Sequence, residues 1–346
     1  MGDITMNKKV RVGVIGAGRI GKIHAENIAK RLGAQAELVA VADVFLNDSI
    51  KEWAKSLGVE NVYDDYKKII DDPTIDAVII CSSTNTHSII SVEAANSGKH
   101  IFCEKPIDYD LEKIKEALDT VAKAGVKFQV GFNRRFDHNF KKVRELVKDG
   151  KVGDVHIVKV TARDPQPPTP EYAKVSGGMF LDMTIHDFDM VRYLSDSEVE
   201  EVYTNAAVLV DPAIGEAGDV DTALISLKFK NGAIGIIDNS RKAAYGYDQR
   251  VEVFGSKGSA EAANDRPSTV VLSTQDGVQS DKPLYFFLER YMESFAEEMK
   301  EFFNAIINDT DTVVSGIDGL KPVLLGMAAK KSYLESRPVK MSEFEV

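Results

Sequence analysis

The stretch VRVGVIGAGRIG, residues 10–21, joins an apolar run to a glycine-rich turn and decides the fold. The apolar run has the Val/Ile content of a strand buried on both faces, which is typical of a parallel sheet. It leads directly into Gly16, Gly18 and Gly21, which open a helix predicted at 19–32. In a GxGxxG turn the first glycine allows a tight bend, the second admits a pyrophosphate, and the third lets helix and strand pack closely. The context therefore predicts a dinucleotide-binding α/β domain, with the anion at the helix start.

An acidic residue, Asp43, ends the second predicted strand at the distance from the glycines that this motif requires. A carboxylate at that place would accept hydrogen bonds from the adenosine ribose hydroxyls. Its charge would repel the 2′-phosphate of NADP, and the following Val44 and Phe45 provide no compensating cation. We therefore expect NAD as the cofactor. The alternative is that the glycines serve only a turn in a non-binding α/β domain.

The hydrophobic pattern predicts two domains of different texture. In the first, strands alternate with amphipathic helices, which indicates a doubly wound parallel sheet of the Rossmann type. Its strands are predicted at 10–15, 37–42, 77–81, 100–103 and 127–131, and its helices at 19–32, 47–57, 86–97 and 110–124, with an exit helix at 137–149. Later strand candidates follow one another without crossover helices, at 155–160, 200–210, 223–229, 233–238, 250–254 and 270–273. The second sheet should therefore be open and mostly antiparallel.

Turn signals and late helices complete the second domain. Asn231-Gly232 between two strand candidates is a strong hairpin signal, and Asp276-Gly277 is another turn marker. Further helices are predicted near 181–194, 286–308 and 318–335. We expect an NAD-binding Rossmann domain at 7–130 and an α+β domain for substrate binding and oligomerisation at 131–340. The last helix is a candidate for packing back on the first domain.

The composition excludes several classes of protein. Hydrophobic residues make up 44% and charged residues 28% of the 346, as in ordinary globular proteins rather than disordered or fibrous ones. Acidic residues outnumber basic ones 54 to 43, and the net charge of −11 disfavours a nucleic-acid partner. No apolar run is long enough for a bilayer, and the N-terminus lacks a signal-peptide core, so we expect a cytoplasmic protein with a short unstructured leader. Cys81 and Cys103 indicate reduced thiols rather than a disulfide framework.

Polar loops follow three of the later strands predicted in the first domain. They contain Ser82 to His87, then Glu104-Lys105-Pro106, then Asn133-Arg134-Arg135. The carboxyl ends of parallel strands face one crevice, so these loops indicate cofactor and substrate contacts, although each alone could be a solvated turn. Lys105 is the strongest candidate, because Pro106 restricts its backbone to extended conformations and Glu104 supplies a neighbouring charge.

The informative stretch of the second domain is SGGMFLDMTIHDFD, residues 176–189. Asp182, His186 and Asp189 are spaced to share one face of the helix predicted there. A carboxylate beside an imidazole can tune a general acid/base near neutral pH. The pair could instead be an ordinary surface ion pair, or all three residues could bind a metal. Zinc usually takes cysteine or a second histidine, and neither lies at suitable local spacing, so we expect no metal.

The combination of GAGRIG, CSSTNTH, CEKP, GFNRRFD and SGGMFLDMTIHDFD resembles the glucose–fructose oxidoreductase/inositol dehydrogenase (Gfo/Idh/MocA) family. The resemblance covers nearly the whole chain, from about residue 9 to 340, and EKP with the DxxxH helix is quite specific for it. The strings ARDPQPP, GYDQR, EVFGSKG and PLYFFLERY look like the bacterial inositol dehydrogenase branch.

The resemblance implies a set of site residues. The implied catalytic group is Lys105, Asp182 and His186, in which His186 takes the hydroxyl proton, Asp182 orients it and Lys105 bonds the reacting oxygen. The implied cofactor residues are Gly16, Gly18, Arg19, Ile20, Gly21, Asp43, Ser82, Asn85, His87, Glu104, Lys105 and Arg134. The implied substrate residues are Lys105, Asn133, Asp164, Asp182, His186 and either Tyr245 or Tyr247.

The resemblance also implies a function and an assembly. The expected reaction is NAD-dependent oxidation of a cyclic polyol to a ketone, with myo-inositol favoured and 2-keto-myo-inositol as product. Some inositol dehydrogenases have a His-Asn-type pair where this chain has Arg163-Asp164, a departure that bears on the choice of polyol and not on the reaction class. Scyllo-inositol, another sugar, or a non-catalytic NAD-sensing role are the alternatives. The family is commonly tetrameric, so a homotetramer is expected.

Overall fold

In a computed structural model, which describes residues 9–344, the chain forms two compact units. Of the described residues, the first unit contains those up to Asn133 together with Glu293–Leu320. The second contains Arg134–Met292 and the described residues from Lys321 onward. The leader predicted at the N-terminus lies outside the described residues. No helix within residues 9–344 has both the length and the apolar character that a membrane crossing demands.

The first unit is built on six short strands joined by helices. The strands are β1 (Val10–Ile15), β2 (Ala36–Ala42), β3 (Asn61–Tyr63), β4 (Ala77–Ile80), β5 (His100–Cys103) and β6 (Phe128–Val130), and the helices are α1 (Arg19–Arg31), α2 (Asp48–Ser56), α3 (Lys67–Ile70), α4 (Thr84–Asn96) and α5 (Leu111–Ala124). The strands pair in parallel in the order β3-β2-β1-β4-β5-β6. Strand order reverses between β1 and β4, where ligands bind in such sheets. The predicted Rossmann architecture is confirmed.

The elements that follow Asn133 are more varied. The strands are β7 (Val155–Arg163), β8 (Val199–Ala207), β9 (Thr222–Phe229), β10 (Ile234–Ser240), β11 (Asp248–Gly255), β12 (Gly258–Ala262), β13 (Val271–Thr274), β14 (Gly277–Ser280) and β15 (Val339–Lys340), and the helices are α6 (His138–Lys148), α7 (Pro170–Val175), α8 (Thr184–Ser195), α9 (Pro212–Glu216), α10 (Phe287–Arg290), α11 (Met292–Ile307) and α12 (Gly316–Glu335). The sequence pattern missed the shortest elements, β3 in the first unit and α9 and β15 here, because so few residues show no periodicity.

A seven-stranded sheet with the order β12-β11-β7-β10-β9-β8-β15 forms the second unit. All its pairs are antiparallel except β7 with β10, so the predicted mostly antiparallel sheet is confirmed. The hairpin signals are also confirmed, since Gly232 lies between β9 and β10, and Gly277 begins β14. Buried and exposed residues alternate along β9, so one face of the sheet packs inward and the other stays open.

Helix α11 explains why a late segment belongs to the first unit. Met299, Phe302 and Phe303 are fully buried in the same apolar cluster as Val12 and Ile28. Aromatic side chains bury a large apolar area, so this contact stabilises the segment on the first unit. The predicted boundaries assigned 131–340 to the second domain and named only the last helix as a candidate for packing back on the first. In the structure the returning helix is α11, and most of α12 belongs to the second unit.

The helix predicted near 181–194 consists of two segments. Met179–Met183 form a π-helical turn, and the regular helix α8 begins at Thr184. Asp182 therefore lies in the π turn and His186 in the α-helix, rather than on one regular helical face as the spacing indicated. Such π turns often occur at functional sites.

Candidate active site

The glycine turn between β1 and α1 has the geometry that a pyrophosphate needs. Gly16 has a φ of +97°, and a Cβ there would lie 2.5 Å from the carbonyl oxygen of Cys81. A Cβ on Gly21 would lie 1.9 Å from the carbonyl oxygen of Gly16, so both glycines are required sterically. Among residues 9–344, no atom outside the local backbone lies within 4 Å of a Cβ built on Gly18, and no side chain caps the start of α1. The helix start, with Arg19 and Ile20, is therefore open to an anion, and these residues fit a dinucleotide.

Asp43 is tied to the glycine turn by its carboxylate. One oxygen accepts the Ala17 N–H at 2.6 Å and the other accepts the Phe45 N–H at 2.8 Å. A carboxylate can accept about four hydrogen bonds, so both oxygens keep capacity for ribose hydroxyls. The side chains of Val44 and Phe45 are 70% and 80% exposed and carry no charge. The structure thus places the acid beside the predicted phosphate site without a cation next to it in sequence.

The loop after β4 is held by internal hydrogen bonds. The Ser82 and Thr86 hydroxyls lie 2.7 Å apart, while Asn85 is exposed in the first turn of α4. His87 is buried, and its ring nitrogens lie 2.8 Å from the Pro106 carbonyl and 2.9 Å from the Ser82 carbonyl. The structure therefore gives His87 a supporting role in the loop, and its contact with the cofactor stays a prediction.

Glu104 and Lys105 follow β5 directly. The Glu104 carboxylate lies 2.9 Å from Nε2 of His24, a buried residue of α1 that sequence reasoning missed. It also accepts the backbone N–H of Lys105 at 3.3 Å. The sequence contained one indication of this role, because His24 lies on the apolar face of the helix that follows the glycine turn. Lys105 itself is half-buried.

The arginines that follow β6 take part in buried ion pairs of the second unit. Arg134 donates to Asp187 at 2.5 Å, and burial raises the pKa of that carboxyl while the charge of Arg134 opposes the rise. Arg135 donates to both oxygens of Asp189 at 2.6–3.1 Å. Asn133 is buried in the same turn, at the end of the first unit. Asp189 is therefore occupied by a cation of the protein, which disfavours the metal alternative.

Asp182 is fixed by two donors that the sequence did not indicate. The Tyr172 hydroxyl donates to one oxygen at 3.2 Å, and Arg241 donates to the other at 3.2 Å. Arg241 also donates to Asp164 at 3.1 Å. Burial raises the pKa of Asp164, and Arg241 opposes the rise. His186 is half-buried in the first turn of α8. Asp182, Asp164 and His186 all belong to the second unit.

The two candidate tyrosines have different surroundings. The Tyr245 hydroxyl donates to Asp248 at 2.6 Å and accepts from Arg163 at 3.1 Å. Tyr247 is buried with its ring edge-on to Tyr291, and burial raises its pKa well above the usual value while the charge of Arg134 lowers it. The Tyr245 hydroxyl is thus already hydrogen-bonded to Asp248 and Arg163, whereas Tyr247 is influenced by the charge of Arg134.

Comparison with known proteins identifies the family of both parts of the chain. Residues 10–132 match the family model described as an oxidoreductase family with an NAD-binding Rossmann fold, and residues 140–261 match the GFO/IDH/MocA C-terminal domain. The chain belongs to the Gfo/Idh/MocA oxidoreductase family. Its first unit is an NAD-binding Rossmann domain, so the predicted enzyme class and cofactor are confirmed.

Similar proteins within this family carry related names. The chain is 52% identical to a myo-inositol 2-dehydrogenase of Thermotoga maritima and 46% identical to an inositol 2-dehydrogenase of Rhizobium meliloti, each over 96% of this chain and 99% of the relative. It is 36% identical to a scyllo-inositol 2-dehydrogenase (NAD(+)) of Bacillus subtilis, over 97% of both chains.

Solved structures of this Gfo/Idh/MocA group are also similar. A myo-inositol dehydrogenase from Corynebacterium glutamicum superposes with a TM-score of 0.91 at 34% identity, covering 96% of this chain and 99% of the other. A scyllo-inositol dehydrogenase from Lactobacillus casei, with bound NAD(H) and scyllo-inositol, gives 0.90 at 32% identity, covering 97% and 100%.

Proposed function

We propose that this oxidoreductase oxidises a ring hydroxyl of an inositol to a ketone with NAD, and that myo-inositol is the favoured substrate, giving 2-keto-myo-inositol. The observation that carries the proposal is at the start of α8, where Asp182 is fixed by Arg241 and Tyr172 four positions before His186. Near full-length relatives named inositol 2-dehydrogenase support the substrate class.

The proposed chemistry assigns one task to each of three side chains. His186 removes the hydroxyl proton as hydride leaves the carbinol carbon. The base is needed because a secondary alcohol is a very weak acid, and hydride does not leave readily unless the oxygen gives up its proton. Lys105 stabilises the developing alkoxide with its ammonium group. Asp182 orients the imidazole and supports its positive charge. NAD, when bound, supplies the hydride acceptor.

The remaining assignments place the substrate and cofactor contacts. Asp164 accepts hydrogen bonds from polyol hydroxyls while Arg241 keeps it in place, and Asn133 provides a further polar contact. Of the two tyrosines, Tyr247 is the better candidate, because the Tyr245 hydroxyl is already bonded to two charged residues. We assign NAD binding to the glycine turn with Arg19, Ile20 and Asp43, and to Ser82, His87 and Lys105. We place its ribose–nicotinamide half near Asn85, Glu104 and Arg134.

Oligomerisation is proposed through the open face of the second sheet. Ile234, Ile157 and Phe254 are neighbours across β10, β7 and β11, and Ile234 and Phe254 are exposed. A row of exposed apolar side chains favours cover by another protein surface. We propose a homotetramer acting in the cytoplasm, in keeping with the free thiols of Cys81 and Cys103. Light scattering of the purified protein checks the assembly.

The decisive experiment is a panel of cyclic polyols and sugars with NAD, followed by NADH absorbance. We expect the highest kcat/KM with myo-inositol and a lower value with scyllo-inositol. The scyllo alternative is retained because relatives at 32–36% identity carry that name, and a higher kcat/KM with scyllo-inositol would establish it. Tight NAD binding without turnover of any polyol would favour the sensing role instead.

A further inference from the structure

Lys105 is flanked by two buried histidines that belong to different helices of the first unit. His24 on α1 is fully buried, and its Nε2 lies 2.9 Å from Oε1 of Glu104. The second oxygen of Glu104 accepts the backbone N–H of Lys105 at 3.3 Å. An unbroken series of hydrogen bonds therefore joins the helix after the glycine turn to the amide of Lys105.

The other side of Lys105 is held by His87 on α4. Its Nδ1 lies 2.8 Å from the carbonyl oxygen of Pro106, the residue directly after Lys105. Its Nε2 lies 2.9 Å from the carbonyl oxygen of Ser82, in the loop after β4. The ring is buried, so water does not compete with these contacts, and a neutral imidazole donates to one of the two carbonyls while a protonated one donates to both. Backbone groups on both sides of Lys105 are thus fixed to the rest of the unit.

Close packing restricts one side of Glu104 and the ring of His24. A Cβ on Gly131 would lie 2.9 Å from the Glu104 carboxylate, so that side admits no larger residue. The His24 ring packs edge-on against Phe102 and Phe295, at 5.2 and 5.8 Å between ring centres. The imidazole is fully buried and the Glu104 side chain is 13% exposed, and a close-packed surrounding of this kind transmits small displacements rather than absorbing them.

A second buried carboxyl, Glu298, lies next to this pair but is not part of the series. Its Oε1 is 3.8 Å from Nε2 of His24, and within residues 9–344 neither of its oxygens has a hydrogen-bond partner. The three residues could together resemble a metal site. However, ligand atoms of a tetrahedral metal with bonds near 2.1 Å are about 3.4 Å apart. The 2.9 Å between His24 and Glu104 is instead a direct hydrogen bond.

We propose that His24 and His87 are positioning residues for Lys105, which hold the backbone on its two sides so that its ammonium meets the reacting oxygen without further ordering. The proposal rests on the proposed function, in which Lys105 stabilises the alkoxide. Misplacing such a group by about 1 Å can cost about a hundredfold in rate. Loss of the His24 bond should therefore lower kcat more than it lowers cofactor affinity.

The test compares His24→Phe, which keeps a ring for Phe102 and Phe295, with His24→Gln, which keeps an N–H donor. We expect kcat to fall about 10- to 100-fold in His24→Phe, with NADH affinity changed less than about threefold, and to recover in large part in His24→Gln. Glu298→Gln is the matched control in the same cluster and should keep kcat within about twofold. His87→Phe provides the second measurement if His24→Phe does not fold.

Hydrogen exchange of the segment 103–107 adds a readout that needs no turnover. The Lys105 amide should exchange faster in His24→Phe than in the unaltered protein or in Glu298→Gln. Unchanged kcat and unchanged exchange in a folded His24→Phe would overturn the proposal. A lower melting temperature with unchanged kcat would also overturn it, because it would show a merely structural role. If the unaltered protein turned over no polyol, the proposed function would fail, while the exchange result would still judge the positioning role.

Discussion

Arg241 donates a hydrogen bond to the carboxylate of Asp182 at 3.2 Å, across 59 positions of the chain. The same guanidinium reaches Asp164 at 3.1 Å, so one buried cation holds two carboxylates of the second unit. Asp182 is also bonded by Tyr172. This arrangement makes Arg241 as important to the proposed site as the residues that the sequence motifs indicate.

Replacing Arg241 should therefore damage both stability and activity. Arg241→Met leaves two carboxylates without their cation, at a cost of about 3 kcal/mol in the free energy of unfolding. Arg241 opposes the rise that burial causes in the pKa of Asp164, so its loss should raise that pKa further. The acid limb of the kcat/KM profile should then move to higher pH. Arg241→Lys keeps the positive charge but cannot donate to both carboxylates with a planar guanidinium. Its stability and its acid limb should therefore lie between those of the unaltered protein and Arg241→Met. An unmoved acid limb in folded Arg241→Met would contradict this assignment.

Cofactor choice should depend on Asp43. NADP would place a phosphate against the carboxylate, and about 2.8 kcal/mol of repulsion gives a hundredfold preference for NAD. Asp43→Ser with Val44→Arg should move the ratio of kcat/KM values toward NADP. The double variant should also be less stable by about 1–2 kcal/mol, because the N–H groups of Ala17 and Phe45 lose their acceptor. Asp48→Ser, at an exposed residue of α2, is the control, and equal use of NAD and NADP by the unaltered protein would refute the prediction.

Removing the proposed base, His186, or the proposed alkoxide-stabilising residue, Lys105, should lower kcat by about 10²- to 10⁴-fold. His186→Ala and Lys105→Met should remove most activity in the NADH assay, and His186→Ala should leave NAD affinity largely unchanged. Asp182→Asn should keep the fold and shift the lower pKa of the pH–rate profile.

His138→Ala, at a largely exposed histidine of α6, controls for the loss of a histidine as such. Near-normal turnover in His186→Ala would mean that the base is elsewhere, with Lys105 acting alone. If Lys105→Met were also active, the NAD-sensing role would replace the dehydrogenase.

No metal should be required for catalysis. Asp189, which could have completed a metal site with Asp182 and His186, is bonded through both oxygens to Arg135. Exhaustive treatment with EDTA should therefore leave kcat unchanged, measured beside an untreated sample carried through the same dialysis. Stoichiometric zinc or manganese that tracks activity in elemental analysis would reverse this conclusion.

Stability should fall as pH rises because of Glu298. Burial, and then the charge of Glu104, raise the pKa of Glu298 well above 4.5 in the folded protein. The folded state therefore binds its proton more tightly than the unfolded state does, and the contribution is complete below pH 4.5. It is lost as pH rises through the folded pKa. Glu298→Gln carries no proton to lose, so its melting temperature relative to the unaltered protein should increase toward high pH. A constant difference between the two proteins across the range would show that Glu298 does not titrate in this way.

Local features allowed the sequence to determine the fold class and the cofactor. The strand, the glycines and Asp43 act through backbone conformation, close approach and charge within a short stretch, so their pattern is readable without partners. The hairpin at Asn231-Gly232 is equally local, since its turn needs a residue with positive φ, and Gly232 supplies it.

Tertiary structure decided which side chains support the site. His24 meets Glu104 across 80 positions, and Arg241 meets Asp182 across 59, so no spacing rule connects them. The return of α11 to the first unit was likewise set by burial of its aromatic residues in a core formed by distant strands. Such partners are selected by the free energy of burying and pairing groups in three dimensions, and that free energy is a property of the packed chain and not of any one segment.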